Sequence, residues 1–312
     1  MKQLLFKALK SIASLLPKVG INRETLGAAR VYDFFYKIFW PYGKVIEIQG
    51  SKMFINIKDE SHALRETFEG YVNNLIHEKA TTDLFKRIVK KGDVVVDLGA
   101  NIGYFTLLAA GIVGPSGKVF SFEPEPKNFS YLKKNIEINN YVWAKPFQKA
   151  VSDKDGKIKL YVCDYDTGHH TINRFGGIKD YSRGRLVEEK PIEIGSITLD
   201  SFFQGKEDSL DVIKMDIEGA EALALAGMDN ILKKSKKIKM FIEFFPLLIK
   251  EMGSSPEEFI DKLLEDYGFS VFAVPDDYNS SGHELLRLNG AKDAMELCRG
   301  RDDHINLFLE HR

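Results

Sequence analysis

Four acids each close a short apolar run in this sequence. V-V-V precedes Asp97, V-F-S-F precedes Glu123, V-I-K-M precedes Asp216 and M-F-I precedes Glu243. Such runs, bounded by turn residues, predict strands buried on both faces of a parallel sheet. Ligands of open α/β sheets sit beyond the carboxyl ends of the strands. The four acids, with Ser152 at the end of another expected strand, therefore gather along one edge. Gly99 and Gly103 follow the first run, with Asn101 between them. Glycine lets the backbone turn sharply and lets a ligand approach it closely. A carboxylate at the first strand end repels phosphates and attracts a cation. The chemistry to expect is the holding of a positively charged ligand beside a proton acceptor.

The elements that must position these groups read in order. Val94–Val96 is a strand ending on Asp97, and Ile102 opens a helix carrying Tyr104, Phe105, Leu107, Leu108 and Ile112. Val119–Phe122 is a second strand, ending at Glu123. Strand, glycine loop, helix, strand and acid make the first half of a nucleotide-binding α/β domain. The usual dinucleotide spacing is G-x-G-x-x-G, whereas this loop is Gly99-x-x-x-Gly103. Glu123 stands where an acid accepts hydrogen bonds from ribose hydroxyls. S-adenosylmethionine carries an ammonium and a sulfonium and no phosphate. The two acids, one for an amine and one for a ribose, favour it over NAD.

These residues resemble class I S-adenosylmethionine-dependent methyltransferases. Five stretches narrow the match: V-V-D-L-G-A-N-I-G-Y-F, F-E-P-E-P, T-L-D-S-F (Thr198–Phe202), V-I-K-M-D-I-E-G-A-E (Val212–Glu221) and F-I-E-F (Phe241–Phe244). Together they are similar to the FkbM methyltransferase family over roughly Glu78 to Val274. The resemblance implies a Rossmann-like fold with seven strands in a mostly parallel sheet, helices on both faces and an antiparallel last strand. It also implies methylation of hydroxyls on sugars, glycans or polyketide-like small molecules. The expected cofactor-binding residues are Glu78, Asp97, Gly99, Asn101, Gly103, Tyr104, Phe105, Glu123, Pro124, Val151, Ser152 and Asp216. Sheet order brings Ala150, Val151 and Ser152 to the rim of an adenine pocket, and Glu78 reads either as a group reaching the methionine end or as a solvated helix acid.

Methyl transfer to a hydroxyl needs alignment and a base for the proton. Asp216 is the first candidate, because its strand neighbours the first. Glu218 and Glu243 are alternatives, as are His169 and His170, whose simpler reading is an exposed loop pair. Glu218-Gly219-Ala220-Glu221 reads equally well as the acidic start of a helix. No metal is expected: Asp216 and Glu243 could supply two ligands for a hard cation, and no matching third ligand stands at a strand end beside them.

The chain has 312 residues and a formal charge of −1 from 44 basic and 45 acidic residues, which gives no nucleic-acid signal. Two cysteines far apart, Cys163 and Cys298, build neither a disulfide framework nor a zinc site, so a reducing cytoplasm is the expected compartment. Residues 1–77 read as an accessory region and 78–312 as the cofactor-binding domain, with polar insertions at 164–190 and 275–304. The accessory region begins with an amphipathic helix over Met1–Leu16. An aromatic-rich segment follows over Val31–Tyr42, then a hairpin of Val45–Ile48 with Met53–Ile57. Residues 1–42 read either as helix docked on the domain or as a peripheral membrane contact. Further strands are expected at Pro146–Ser152, Ile192–Ile197, Asp211–Met215, Ile238–Glu243, Phe269–Val274 and Ile305–Leu309. Rival readings are a non-catalytic protein that keeps the fold, an N-methyltransferase and an NAD-dependent oxidoreductase. The turn Asp-Ile-Glu-Gly after the fourth strand, in place of Asn-Pro-Pro-Tyr, argues against nucleobase substrates.

Overall fold

The computed structural model describes residues 2–15, 28–40, 45–55, 70–71, 76–162, 178–180, 185–187, 190–275, 284–299 and 304–311. His169, His170 and Cys163 lie outside the described residues, as does most of the 164–190 insertion. The strands, in chain order, are β1 (Val45–Ile48), β2 (Ser51–Phe54), β3 (Val94–Leu98), β4 (Lys118–Phe122), β5 (Ala144–Phe147), β6 (Ala150–Val151) and β7 (Gly156–Val162). They continue with β8 (Ile178–Asp180), β9 (Arg185–Val187), β10 (Lys190–Ile197), β11 (Val212–Met215), β12 (Lys239–Phe244), β13 (Phe269–Ala273), β14 (Leu286–Leu288) and β15 (Ile305–His311). The helices that matter below are α1 (Lys2–Leu15), α2 (Ala28–Phe39), α3 (Lys79–Ile88), α4 (Tyr104–Val113) and α5 (Pro126–Ile138).

The central sheet runs β14-β13-β15-β12-β11-β3-β4-β5. Strands β12, β11, β3, β4 and β5 are parallel. β15 enters antiparallel between β12 and β13, as the resemblance implies for a last strand. This is the Rossmann-like methyltransferase arrangement, with eight strands rather than the expected seven. The eighth, β14, comes from the 275–304 insertion and pairs antiparallel with β13.

Strand alternation sorts the core into two halves. Val96, Leu98, Phe120, Phe122, Ile213, Met215, Met240 and Ile242 point to one face and join one cluster. Val95, Val119, Val212, Phe241 and Phe308 point to the other and pack with Phe85 of α3 and Leu107 and Leu108 of α4. That second cluster also takes in Phe6, Tyr36, Trp40, Ile48 and Met53, so the N-terminal segments share the core of the sheet domain. Fully burying a side chain of this size contributes about 1.5–3 kcal/mol. Both faces of the central strands are therefore committed to packing, and polar chemistry is confined to the strand ends.

Several boundaries differ from expectation. The 146–152 segment is two strands in different sheets: β5 joins the main sheet, and β6 pairs parallel with β10. β10 pairs antiparallel with β7, which periodicity did not single out. Ala150, Leu160 and Ile194 give this small sheet its own apolar cluster, which pulls β6 away from β5. The hairpin turns at Gln49 and Gly50, both at positive φ, so β2 begins at Ser51, not Met53. β12 runs from Lys239 to Phe244, so Glu243 is its penultimate residue and not its last. Among the described residues, no helix is long and apolar enough to cross a membrane.

Candidate active site

The order of the sheet reverses beside β3: β4 and β5 lie on one side, β11 and β12 on the other. Ligands of open α/β sheets bind at this crevice. The ends of β3 and β11 touch there. Asp216 N donates to Leu98 O at 3.0 Å. Gly99 has φ +76, and a Cβ on it would lie 1.7 Å from the Asp216 carbonyl oxygen. Only glycine fits that approach. Gly99 N and Ala100 N both donate to Phe122 O at 3.0 Å, which ties the loop to β4.

The loop also fixes Glu123. Asn101 N donates to its Oε2 at 2.8 Å and Glu125 N to its Oε1 at 2.9 Å. Asp97 accepts a hydrogen bond from Thr106 Oγ1 at 2.5 Å. Burial pushes the Glu123 carboxyl up to about 8 and that of Asp97 to about 6, against their bonded donors. Two buried acids poised to lose protons near neutrality suit a cavity that waits for positive charge.

The cavity over these groups is about 310 Å³. Ten of the twelve expected cofactor residues line it: Glu78, Asp97, Gly99, Asn101, Tyr104, Phe105, Glu123, Pro124, Val151 and Asp216. Glu218 and Glu243 line it as well. Gly103 and Ser152 do not line it. Gly103 begins α4 at φ +102, and a Cβ there would sit 2.9 Å from Leu132 Cδ1, so this glycine serves helix packing. Ser152 is buried outside the cavity, its Oγ bonded to Asp153 Oδ1 at 3.0 Å and its N to Ile197 O. The departure of β6 into the small sheet carries it there.

The wall on the β11 side contains a residue that the sequence did not single out. Lys214 of β11 is 1% exposed. Its register partners are Asp97 on β3 and Phe241 on β12, and Asp216 lies two residues on, so Asp97, Lys214, Asp216 and Glu243 share one face. Lys214 Nζ lies 3.4 Å from Asp216 Oδ2 and 3.9 Å from Glu78 Oε2. It also sits 5.0 Å from the centre of the Phe105 ring. Burial alone would lower the Lys214 pKa; the surrounding charges of Glu78, Asp216, Glu243 and Asp97 outweigh it and raise it. Glu78 stands just before α3 at φ 40, with Asn306 Nδ2 at 3.2 Å and His77 Nε2 at 3.3 Å. Burial would raise its pKa, but Lys214 and His77 hold it at about 2. The available signal for Lys214 was a lysine inside an otherwise apolar buried strand, V-I-K-M.

Glu243 is raised well above the usual carboxylate range by burial and by the charges of Asp216 and Glu218. Its Oε1 lies 3.6 Å from His304 Nε2. The expectation of no third acid beside Asp216 and Glu243 is corrected. Glu218, at φ 53 in the turn after β11, comes back over the strand ends. One ligand oxygen from each of Asp216, Glu218 and Glu243 lies within 4.8 Å of the others, a spacing that suits a hard cation. The helix-start reading applies to Glu221, whose buried Oε1 accepts from Ile217 N and Gly219 N and braces the turn.

Glu123 makes stability depend on pH in a definite direction. Its folded pKa of about 8 exceeds the ordinary 4.5, so the folded state binds the proton more tightly. Stability from this group is full below 4.5 and falls as pH rises toward 8. Glu123→Gln is therefore expected to raise the unfolding free energy of the ligand-free protein at pH 8, on the order of a few kcal/mol, and to change little at pH 4.5. Urea titrations at the two pH values check this. An equal effect at both would contradict it.

With this geometry in place, comparison with known proteins is informative. A family model described as "Methyltransferase FkbM domain" matches residues 97–271, more than half of the chain. The 2-O-methyltransferase NoeI of Sinorhizobium fredii is 26% identical over 182 residues, covering 56% of this chain and 73% of that protein. The 31-O-demethyl-FK506 methyltransferase FkbM of Streptomyces tacrolimicus is 29% identical over 162 residues, 46% of this chain and 62% of that one. Methyltransferase 1 of Beauveria bassiana is 27% identical over 146 residues, 44% and 58% respectively. The chain thus spans less than two thirds of the length of two of these relatives. The family match covers the end of β3 from Asp97, the glycine loop, Glu123, the turn after β11 and Glu243, which build most of the cavity. The chain belongs to the FkbM methyltransferase family.

Proposed function

We propose that this protein transfers a methyl group from S-adenosylmethionine to a hydroxyl of a sugar, glycan or polyketide-like small molecule. The observation that carries this reading is the partly exposed Asp216 carboxylate, ion-paired to a buried lysine, at the mouth of a cavity walled by Asp97 and Glu123. The donor set fits the cofactor. Glu78 and Asp97 offer acceptors to an ammonium, Glu123 offers a carboxylate to a ribose diol, and Phe122, Val151 and Leu160 offer apolar walls to a flat base. When bound, S-adenosylmethionine supplies an activated methyl group on a sulfonium.

The chain's own residues then orient the acceptor and take its proton. Asp216 accepts the hydroxyl proton on a carboxylate oxygen. Lys214 fixes that carboxylate from the cavity wall. Glu243, raised well above the usual carboxylate range by burial and by Asp216 and Glu218, holds its proton more strongly than an exposed carboxylate and is the weaker candidate for the base. Tyr104, stacked on Tyr71 with centroids 5.5 Å apart, forms a rigid wall beside the loop. The curated relatives named for 2-O and 31-O positions support oxygen as the accepting atom.

Isothermal titration with S-adenosylmethionine tests the cofactor site. Asp97→Ala and Glu123→Ala are each expected to weaken binding about ten- to a hundredfold, the worth of a hydrogen bond to a charged group. Wild-type affinity in both variants would sink the site, and no heat with the wild type would favour a non-catalytic protein. Transfer of labelled methyl to fractionated glycans, lipids and small metabolites then identifies the acceptor. Label appearing only on amines would move the protein to N-methylation.

A further inference from the structure

The two N-terminal helices each carry two apolar stripes, and only one of each is used inside the molecule. In α1, Phe6 is buried and Leu9 packs beside it. In α2, Tyr36 is buried, and Trp40 follows it into the same core. Phe6 meets Tyr36 and Trp40 with ring centroids 5.1 and 5.6 Å apart, so these inner stripes hold the helices to each other and to the domain. The second stripes point away. Leu4, Ile12 and Leu15 recur at helical spacing on α1, and they are 75, 58 and 54% exposed. Val31, Phe34, Phe35 and Ile38 recur at i, i+3, i+4 and i+7 on α2, with Phe34 61% exposed. Of the twelve large hydrophobic side chains exposed among the described residues, eight lie on these two helices. An apolar surface concentrated in this way marks an interaction site.

Charge identifies the occupant. Residues 1–44 contain eight lysines and arginines against two acids, a formal +6 in a chain whose total is −1. Lys2 and Lys7 are exposed on α1. Two copies of this region meeting face to face would bring like charges together, which disfavours self-association. Crossing a bilayer is excluded for these helices by length. They have 14 and 12 residues, about 21 and 18 Å, against a hydrocarbon core of about 30 Å. Apolar side chains flanked by basic ones, on short helices fixed to a globular domain, fit the interfacial plane of an anionic bilayer.

We infer that α1 and α2 form a peripheral docking surface for anionic lipid membranes, with Leu4, Ile12, Phe34 and Phe35 entering the interface. Docking is independent of the methyl-transfer reading. It would place the cavity of the tethered domain near acceptors held at, or released from, a lipid surface.

Flotation of the full chain with phosphatidylcholine vesicles, with and without phosphatidylserine, tests this. The protein is expected to float with phosphatidylserine-containing vesicles at low salt and to lose that binding as salt rises. The triple variant Ile12→Ser, Phe34→Ser, Phe35→Ser should bind at least about tenfold less, because it removes buried apolar area at the interface. Its far-UV dichroism should match the wild type and its thermal midpoint should fall only slightly, since Ile12 and Phe34 are mostly exposed and Phe35 loses its stack on Phe39. Val142→Ser removes an equally exposed side chain, 73% accessible, from another surface and should float normally. The inference fails if the wild type does not float, or if it floats equally on phosphatidylcholine alone. It also fails if the triple variant floats as well as the wild type. A dimer in sedimentation that the triple variant abolishes, without flotation, would assign the surface to a second copy and overturn the lipid assignment.

Discussion

Asp216→Asn is expected to lower kcat for methyl transfer about a hundred- to ten-thousandfold, the usual worth of a positioned general base. The amide keeps the size of the side chain and still offers Lys214 an oxygen, so the fold and the cavity are preserved. What it loses is the capacity to take a proton from the acceptor hydroxyl. Affinity for S-adenosylmethionine should change no more than about threefold, because a single neutral-for-charged contact at the edge of the site is altered. Single-turnover transfer to an identified acceptor, with binding measured separately by titration, distinguishes the two quantities. A variant with wild-type kcat would remove Asp216 from the proton-accepting role. If Glu243→Gln were crippled at the same time, the role would pass to Glu243 despite its raised pKa.

Lys214→Met is expected to cost about 3–5 kcal/mol of stability, because it leaves buried acids without their cation. That corresponds to a fall of roughly 10 °C in thermal midpoint for a domain of this size. The loss should depend on pH with a definite sign. Glu78 is held at about 2 in the folded state against an ordinary 4.5. Its stabilising contribution is present above 4.5 and is lost as pH falls toward 2. The gap between Lys214→Met and wild type should therefore be widest near neutrality and narrow below pH 4.5. Glu78→Gln combined with Lys214→Met should recover part of the loss, because the buried charge then disappears with its partner. Urea titrations of the two single variants and the pair measure this. A Lys214→Met protein with the wild-type midpoint at pH 7 would show that the lysine is not a structural counter-ion of the site.

The two predictions divide the polar face of the sheet into a group that reacts and a group that holds it. Lys214 holds the reacting carboxylate at 3.4 Å and lines the same cavity, but as a cation it cannot take the acceptor's proton. A change in stability without Lys214 is therefore expected alongside any change in turnover. Asp216→Asn should show the second without the first. This contrast makes the pair informative even before the natural acceptor is known.

Much of the cavity was legible in the sequence because its signals are local. Apolar runs that end on acids, a glycine spaced three residues from the next, and a helix that begins at once after it are properties of neighbouring residues. They predict strand ends, and strand ends of a parallel sheet lie on one edge. Asp97, Glu123, Asp216 and Glu243 met in one cavity for that reason. The required glycine at 99 was legible too, although its physical cause, the Asp216 carbonyl of another strand, was not.

The tertiary structure alone decided which side chains meet across strands and which faces stay open. Lys214 faces Asp97 because β11 lies beside β3 in this register, a pairing between residues more than a hundred positions apart. Ala150 left the main sheet for the apolar cluster that β10 and β7 offer it, while Val151, on the other side of β6, still packs in the main core. Glu218 joined the strand-end acids because its turn runs at positive φ and folds back. Gly103 went to packing because α5 passes within contact of it. Helical spacing could show that α1 and α2 each carry apolar residues on more than one side. Which stripe is buried and which is left to solvent follows only from how Phe6, Tyr36 and Trp40 dock on the core.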